Sequence, residues 1–154
     1  MGSDGLPVLA YEAGPDLDRI MLVKCGNRAC SERTTVELAT LVPTGRSTVA
    51  PPSLAIGTDG SPIVATYEWD GSEGHILVFS CSDPACVEVS TTTPVVSDAH
   101  PYDLLHIWSV SLTNGADGLP VLAYIEGVDG GDAGIEWQLR FALCTDFSCT
   151  TIAG

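Results

Sequence analysis

Short apolar runs separated by polar turns follow one another along the chain, and none shows the 3.6-residue apolar period of an amphipathic helix. The runs are rich in Val, Ile, Leu, Thr and Tyr, and Gly, Pro, Asn and Asp bound them, as is typical of strands joined by tight turns. In the middle of the chain the pattern predicts strands at about 53–56, 63–67, 75–81 and 87–92, and an earlier one at Thr34 to Leu41. The chain is therefore predicted to be all-β.

The apolar runs belong to a repeat that occurs three times. Each copy opens with an Asp-Gly-x-Pro turn, and the copies start 55 and 58 residues apart, at Asp4-Gly5, Asp59-Gly60 and Asp117-Gly118. Met1 to Ser3 read as an expression start outside the first copy. A second apolar run and two cysteines with four residues between them follow in every copy: Cys25 and Cys30, Cys81 and Cys86, Cys144 and Cys149. Because glycine tolerates positive φ, the Asp-Gly pair suits a tight hairpin turn.

A four-stranded antiparallel unit that recurs every 55 to 60 residues is typical of a β-propeller blade. We expect one repeat domain over residues 1–154, with blade 1 at 4–48, blade 2 at 49–99 and blade 3 at 100–154. Blade 1 lacks the inner strand and blade 3 has only a short outer strand. Closed propellers have roughly 4–8 blades, so these blades are expected to leave apolar faces and open edges that favour association with another chain.

The segment from Ala55 to Val64, followed by Leu77 to Cys81 and Cys86, resembles the blade repeats of secreted or surface bacterial propeller proteins and is similar to the BNR and sialidase-like superfamily. The resemblance covers nearly the whole chain and implies a propeller fold. The sialidase Asp-box, Ser-x-Asp-x-Gly-x-Thr-Trp, is not matched, because no tryptophan follows the turn at Asp59. A sialidase-like hydrolase fragment is therefore the least favoured function.

The six cysteines are expected to pair locally, within each motif. Each disulfide would staple the turn between the third and fourth strands of a copy and contribute about 2 kcal/mol through loop entropy. Disulfides indicate an extracellular, cell-surface or periplasmic location. Structural zinc sites are the alternative, although three pairs do not divide into four-cysteine sites. We expect no cofactor and no metal.

A formal charge of −14 has the wrong sign for binding nucleic acid, and no apolar stretch approaches the roughly 20 residues that cross a membrane. The charge is uneven. Residues 1–46 carry five basic and six acidic side chains, whereas residues 47–154 carry fourteen acidic ones and only Arg140. Such a split favours head-to-tail contact between copies, unless surface charge simply varies among the repeats.

No motif for nucleophilic or acid–base catalysis is present, and we expect no enzyme activity. The densest titratable cluster, around Asp98, His100 and Asp103, is either a metal or acid–base site or an ordinary polar loop. Acidic pairs in two turns could bind calcium but lack the full spacing of a calcium loop. The candidate ligand-binding residues are Trp69, Trp108, Trp137, His100 and Asp103.

These observations predict a non-enzymatic extracellular module whose incomplete blades associate with further copies, as a closed ring or a filament, in a structural role. Two copies would supply about six blades, enough for a ring. The alternative is an adhesin that binds a carbohydrate or a surface protein, since propeller folds serve recognition as well.

Overall fold

The computed structural model describes residues 1–15, 17–41, 50–69, 73–97, 107–129 and 134–153. Within these ranges the chain forms β-strands and no helix. The strands are β1 Val8–Ala13, β2 Arg19–Cys25, β3 Arg33–Thr40, β4 Ala50–Ile56, β5 Pro62–Trp69, β6 Gly74–Cys81, β7 Val89–Ser97, β8 Ile107–Asn114, β9 Pro120–Asp129, β10 Ile135–Cys144 and β11 Ile152–Ala153.

The strands form three antiparallel sheets in which consecutive strands are neighbours: β1-β2-β3, β4-β5-β6-β7 and β8-β9-β10-β11. The all-β prediction is thereby confirmed, and the described strands form no closed ring. β4 begins three residues before its predicted start, because Pro51 and Pro52 lie on an edge strand, where a missing N–H costs little. The boundaries predicted between copies, at 48/49 and 99/100, fall outside the described residues.

The second sheet lies between the other two and packs on both faces. We call the side of the first and second sheets that points towards the next sheet along the chain the front face, and the opposite side the back face. In the third sheet the back face packs on the second sheet, and the front face is the side turned away from it. The front face of the second sheet joins a buried cluster with the third sheet, formed by Ile63, Ala65, Tyr67, Ile76, Val78, Val110, Leu112, Leu122, Ala142 and Cys144. Its back face joins a cluster with the first sheet, formed by Val8, Ile20, Leu22, Leu38, Val64, Phe79 and Cys81.

Packing on both faces explains the composition of the middle copy. Side chains alternate between the two faces of a strand, so a strand buried on both sides loses the apolar–polar alternation of a surface strand. The first six residues of β5, Pro62 to Tyr67, are all buried. The second copy therefore forms the centre of the core.

The three Asp-Gly turns share one geometry. In the second copy the N–H of Gly60 donates to Gly57 O at 2.9 Å, and the N–H of Gly57 donates to Ser61 O at 2.8 Å. Asp59 Oδ1 accepts the N–H of Ser61 at 2.9 Å. Within each pair only the glycine has a positive φ, which is 73° at Gly5, 88° at Gly60 and 83° at Gly118. Each turn is therefore a three-residue hairpin loop with a glycine bulge.

The turn of the first copy includes Gly2, which lies outside the motif recognised in the sequence. The N–H of Gly2 donates to Leu6 O at 2.8 Å, as the N–H of Gly115 does to Leu119 O. A Cβ at Gly2 would lie 2.8 Å from Asp4 Oδ1, so a larger residue would displace the aspartate from its hydrogen bond to Leu6. The motif that shares this turn is thus Gly-x-Asp-Gly-x-Pro, with Gly2, Gly57 and Gly115 at its first position.

Candidate functional site

The front face of the third sheet is apolar and exposed to solvent among the described residues. Strand alternation and the β9–β10 register place Ile125, Trp137, Leu139, Phe141 and Leu143 on this face, with Leu139 directly opposite Ile125. Leu139 is 62% exposed and Phe141 is 61% exposed. Contiguous exposed apolar side chains of this size mark a contact surface.

Alignment of the three copies on their first cysteine gives these exposed residues counterparts inside the chain. The counterparts of Leu139 and Phe141 are all buried, with no more than 2% of their surface exposed. The counterparts are Ile20 and Ile76 for Leu139, and Leu22 and Val78 for Phe141. The front faces of the first two sheets are therefore covered by the sheet that follows, and the same positions in the third sheet are not.

The back face of the first sheet is the second exposed surface. Leu9 is 51% exposed and Tyr11 is 41% exposed, and the β1–β2 register places Met21 opposite Tyr11. The counterparts of Leu9 in the other two sheets, Val64 and Leu122, are completely buried against the preceding sheet. The chain thus presents one uncovered front face and one uncovered back face.

Two strands have fewer partners than their counterparts in the described part of the chain, since β5 and β9, the counterparts of β1, pair on both sides. β1 pairs with β2 alone, and β11 pairs with β10 only at Leu143 and Cys144. In the second sheet, by contrast, β7 pairs with β6 from Gly74 to Cys81. Open edges of this kind favour pairing with a further strand.

Each cysteine pair closes a disulfide within its own copy, which confirms the predicted local pairing. The Cα atoms are 4.7 Å apart in all three bonds, Cys25–Cys30, Cys81–Cys86 and Cys144–Cys149. The second cysteine of each pair has a positive φ, and its N–H donates to the carbonyl three residues earlier. Six bonded cysteines provide no thiolate for the zinc alternative, and intramolecular disulfides indicate an oxidising environment.

The disulfide loops also contribute to the packing between sheets. Ser80 Oγ, on the front face of the second sheet, donates to Phe147 O in the loop of the third copy at 3.1 Å. In the loop of the second copy, Pro84 borders Lys24 of the first sheet, the counterpart of Ser80. Each of these loops therefore lies over the front face of the preceding sheet.

A pocket of about 310 Å³ opens at the front face of the third sheet, beside its Asp-Gly turn. Gly115, Asp117, Leu119, Val121 and Leu143 are among the residues that line it. Asp117 Oδ1 accepts the N–H of Leu119 at 3.0 Å. In the second copy Ser61 Oγ also donates to Asp59 Oδ2, whereas the leucine at 119 has no hydroxyl to donate. The pocket therefore combines apolar walls with a carboxylate.

Trp69 and Trp137, two of the tryptophans predicted as ligand-binding residues, lie on different surfaces. Trp69 ends β5 and packs against the cluster between the second and third sheets, whereas Trp137 lies on the opposite face of the third sheet and is 45% exposed. Trp108 lies in β8. His100 and Asp103 lie outside the described residues.

The apolar front face of the third sheet was missed at the sequence level, although a signal for it exists. From Ile135 to Phe141, β10 alternates strictly between apolar and polar residues. Such alternation indicates one apolar face and one polar face. Here Ala142 and Cys144 bury the polar face at its end, and the apolar face is the exposed one.

The electrostatics of the described residues reflect turns and packing. The N–H of Leu6 donates to Asp4 Oδ1 and lowers the pKa of this carboxyl, with Lys24 Nζ 3.5 Å away as a further contribution. Burial raises the pKa of Glu12, whose Oε1 is buried without a hydrogen-bond partner. Neither carboxyl belongs to a described acid–base pair.

No protein-family model, curated protein or solved structure matches the chain. Within the described ranges no three His, Cys, Asp or Glu side chains lie together so that they could hold a metal ion. The same ranges contain no helix long and apolar enough to span a membrane. The two exposed apolar faces, on the first and third sheets, are the most distinctive surfaces of the described residues.

Proposed function

We propose that this chain is a non-enzymatic, extracellular repeat module of the β-propeller type that associates head to tail with further copies of itself, in a structural or surface-assembly role. One observation carries the proposal. Leu139 and Phe141 are exposed on the front face of the third sheet, while their counterparts in the first two sheets are fully covered. The front face is covered by a following sheet in the first two sheets and is exposed in the third. We therefore expect a sheet of a further copy to cover it.

Three features support the propeller type. Each sheet is a meander, the sheets pack face to face, and the first strands of the second and third sheets, β4 and β8, lie side by side where inner strands would lie. The N–H of Leu112 donates to Ser53 Oγ at 2.9 Å, and Asn114 Nδ2 donates to Ile56 O at 2.6 Å. These bonds link β4 and β8 across the junction.

Head-to-tail contact follows from the packing inside the chain. A front face meets a back face at both internal junctions. The two exposed faces are the same pair, one at each end, so the third sheet of one copy would receive the first sheet of the next. The near-neutral first 46 residues and the strongly acidic remainder add electrostatic complementarity. If the rotation between successive copies brings the last copy back to the first, the assembly is a closed ring; otherwise it is a filament.

The mass and shape of the particle under non-reducing conditions test this proposal. Light scattering coupled to size exclusion, with negative-stain electron microscopy, is expected to show particles larger than the 16.1 kDa chain. A protein that stays at 16.1 kDa at high concentration would contradict the proposal.

Two variants, each blocking one end, identify the type of contact. Phe141→Glu places a charge on the front face of the third sheet, and Leu9→Glu places one on the back face of the first. Each variant alone is expected to be monomeric, whereas a mixture is expected to form a one-to-one dimer through the two intact faces. Val87→Glu, at a side chain that is 77% exposed and lies outside both faces, is the matched control and is expected to assemble normally.

A front-to-front contact gives a different result, because Leu9→Glu would then still pair with itself. Self-association of Leu9→Glu, together with no dimer in the mixture, would therefore refute the head-to-tail arrangement.

A second candidate function is an adhesin, which the exposed aromatic side chains of the third sheet favour. Trp137 and Phe141 project from one face of β10, where rings could stack on a sugar. A glycan array with the Leu9→Glu chain, whose front face is intact, tests this function. Binding that Trp137→Ala abolishes would support the adhesin, and no binding at high protein concentration would remove it.

A further inference from the structure

The pocket at the open end of the chain has a counterpart inside the chain that is filled. In the second sheet the corresponding place lies beside Gly57 and Ser80, the counterparts of Gly115 and Leu143. Phe147, from the disulfide loop of the next copy, occupies it. Phe147 O accepts the hydroxyl of Ser80 at 3.1 Å, and a Cβ on Gly57 would lie 3.5 Å from Phe147 Cε1.

The residue that fills this place stands at the fourth position of the six-residue disulfide loop. Pro84 holds the same position in the second copy and lies against the first sheet, next to Lys24. In the first copy the fourth position is Arg28, which is exposed on a loop with no preceding sheet in the chain. The place in the first sheet that corresponds to the third-sheet pocket, beside Asp4 and Lys24, is also open, so only the junction between the second and third sheets fills it. The loop of the first copy has no sheet to dock on, and the pocket of the third sheet has no loop.

We propose that Arg28 of one copy inserts into the pocket of a second copy, between Leu143 and Asp117. This inference rests on the head-to-tail association proposed above and specifies how the two copies dock. The second copy supplies the matching chemistry, because Asp117 lines the pocket and a guanidinium forms charge-assisted hydrogen bonds with a carboxylate. The stem of the arginine covers the apolar wall at Leu143.

The mixture of the Phe141→Glu and Leu9→Glu chains, here called the capped pair, forms a single junction. Its dissociation constant can be measured by sedimentation velocity. The Phe141→Glu chain supplies Arg28, and the Leu9→Glu chain supplies the pocket. Arg28→Glu in the first chain is expected to raise Kd at least about tenfold, because it sets a carboxylate against Asp117. Arg28→Phe, which copies Phe147, is expected to keep Kd within about threefold of the parent pair.

Asp117→Asn in the second chain tests the contact itself. The amide oxygen still accepts the N–H of Leu119 and preserves the turn, while the charge is removed. The increase in Kd caused by Arg28→Glu is therefore expected to fall to less than about threefold when the second chain carries Asp117→Asn. Arg140→Glu in the Phe141→Glu chain is the control. It changes the net charge equally, at a site in the third sheet that is remote from the back face of the first sheet.

The outcomes separate this inference from the proposed function. If the capped pair forms and Arg28→Glu leaves its Kd unchanged, the docking of Arg28 is wrong and head-to-tail association stands. An equal loss from Arg28→Glu and Arg140→Glu also overturns it, because net charge alone would then explain the effect. If the pair with native Arg28 does not form, both proposals fall.

Discussion

The second and third sheets present the same strands in the same register, yet their front faces differ completely in exposure. Ile76 of the second sheet is fully buried, whereas its counterpart Leu139 is 62% exposed. The two side chains have similar volume and polarity, so the difference arises from their surroundings. The third sheet covers Ile76 and β7 places Val95 opposite it, whereas Leu139 has neither neighbour in the described chain. Burial in a repeat protein depends on what stands beside each copy.

The comparison also shows that the third sheet is not built as a protective end. Terminal copies of repeat proteins usually carry a polar outer face for solubility. Here Phe141 replaces Val78, and Leu143 replaces Ser80, so the open face is more apolar than the covered one. This composition is typical of a face that becomes buried.

The largest expected difference comes from truncating the two equivalent residues. Ile76→Ala should lower the free energy of unfolding by about 2–5 kcal/mol, because it removes buried contacts and leaves a cavity. Leu139→Ala should change it by less than about 0.5 kcal/mol in the monomer, since the side chain is exposed. Urea unfolding of both variants in the Leu9→Glu background measures the contrast, and equal losses would show that the front face of the third sheet is covered within the chain.

Removal of one disulfide at a time should lower the free energy of unfolding more in the second copy, whose loop packs on the first sheet, than in the first copy. Cys81→Ala with Cys86→Ala should cost about 3 kcal/mol, because it adds lost packing against the first sheet to a loop-entropy term of about 2 kcal/mol. Cys25→Ala with Cys30→Ala should cost less, because the loop of the first copy has no preceding sheet to pack on and only the burial of Cys25 within its own sheet adds to the entropy term. Urea unfolding under non-reducing conditions gives both values, and a larger loss at the first pair contradicts this reasoning.

A single hydrogen bond across the junction offers a smaller test. Ser80→Ala should lower stability by about 1 kcal/mol, because Phe147 O loses the hydroxyl that it accepts at 3.1 Å. Leu143→Ser, the matching change in the third sheet, should have little effect on the monomer, since Leu143 is half exposed. Thermal unfolding of both variants checks the pair; similar shifts in Tm would argue against the difference between the sheets.

The smallest effect concerns Glu12, on the front face of the first sheet at the position of Tyr67 and Ile125. Burial raises its pKa in the folded chain, so ionisation costs stability as pH rises above the ordinary glutamate value. Glu12→Gln should therefore stabilise the protein by roughly 0.5 kcal/mol at neutral pH, a small amount because solvent screens a partly exposed carboxylate. The gain should vanish below the ordinary pKa of glutamate, where both states bind the proton.

Urea titrations at neutral and acidic pH measure this difference. Glu88→Gln, at an exposed carboxylate, is the control and should have no effect at either pH. A gain from Glu12→Gln that persists in acid would mean that desolvation of the charge is not its cause.

The local elements could be predicted from the sequence because their causes are local. Strand positions follow from apolar runs, and the pairing of Cys25 with Cys30 follows from a spacing that only a tight loop closes. The role of Gly2 was not predicted, although glycine also stands two residues before Asp59 and Asp117 in the sequence; the close contact with Asp4 Oδ1 explains the repetition. The alternation of apolar and polar residues in β10 indicates an apolar face, but it does not indicate whether another sheet covers that face.

The sequence by itself determined the three copies, their strands and turns, and the disulfide of each loop, because these depend on interactions between residues close in the chain. The tertiary structure decided which faces are covered. Ile76 and Leu139 hold the same position in the third strand of their copies, and the packing of the third sheet on the second, together with the pairing of Ile76 with Val95 in β7, makes one of them core and the other surface. The candidate site is therefore a property of the order in which the sheets stack, which local sequence does not encode.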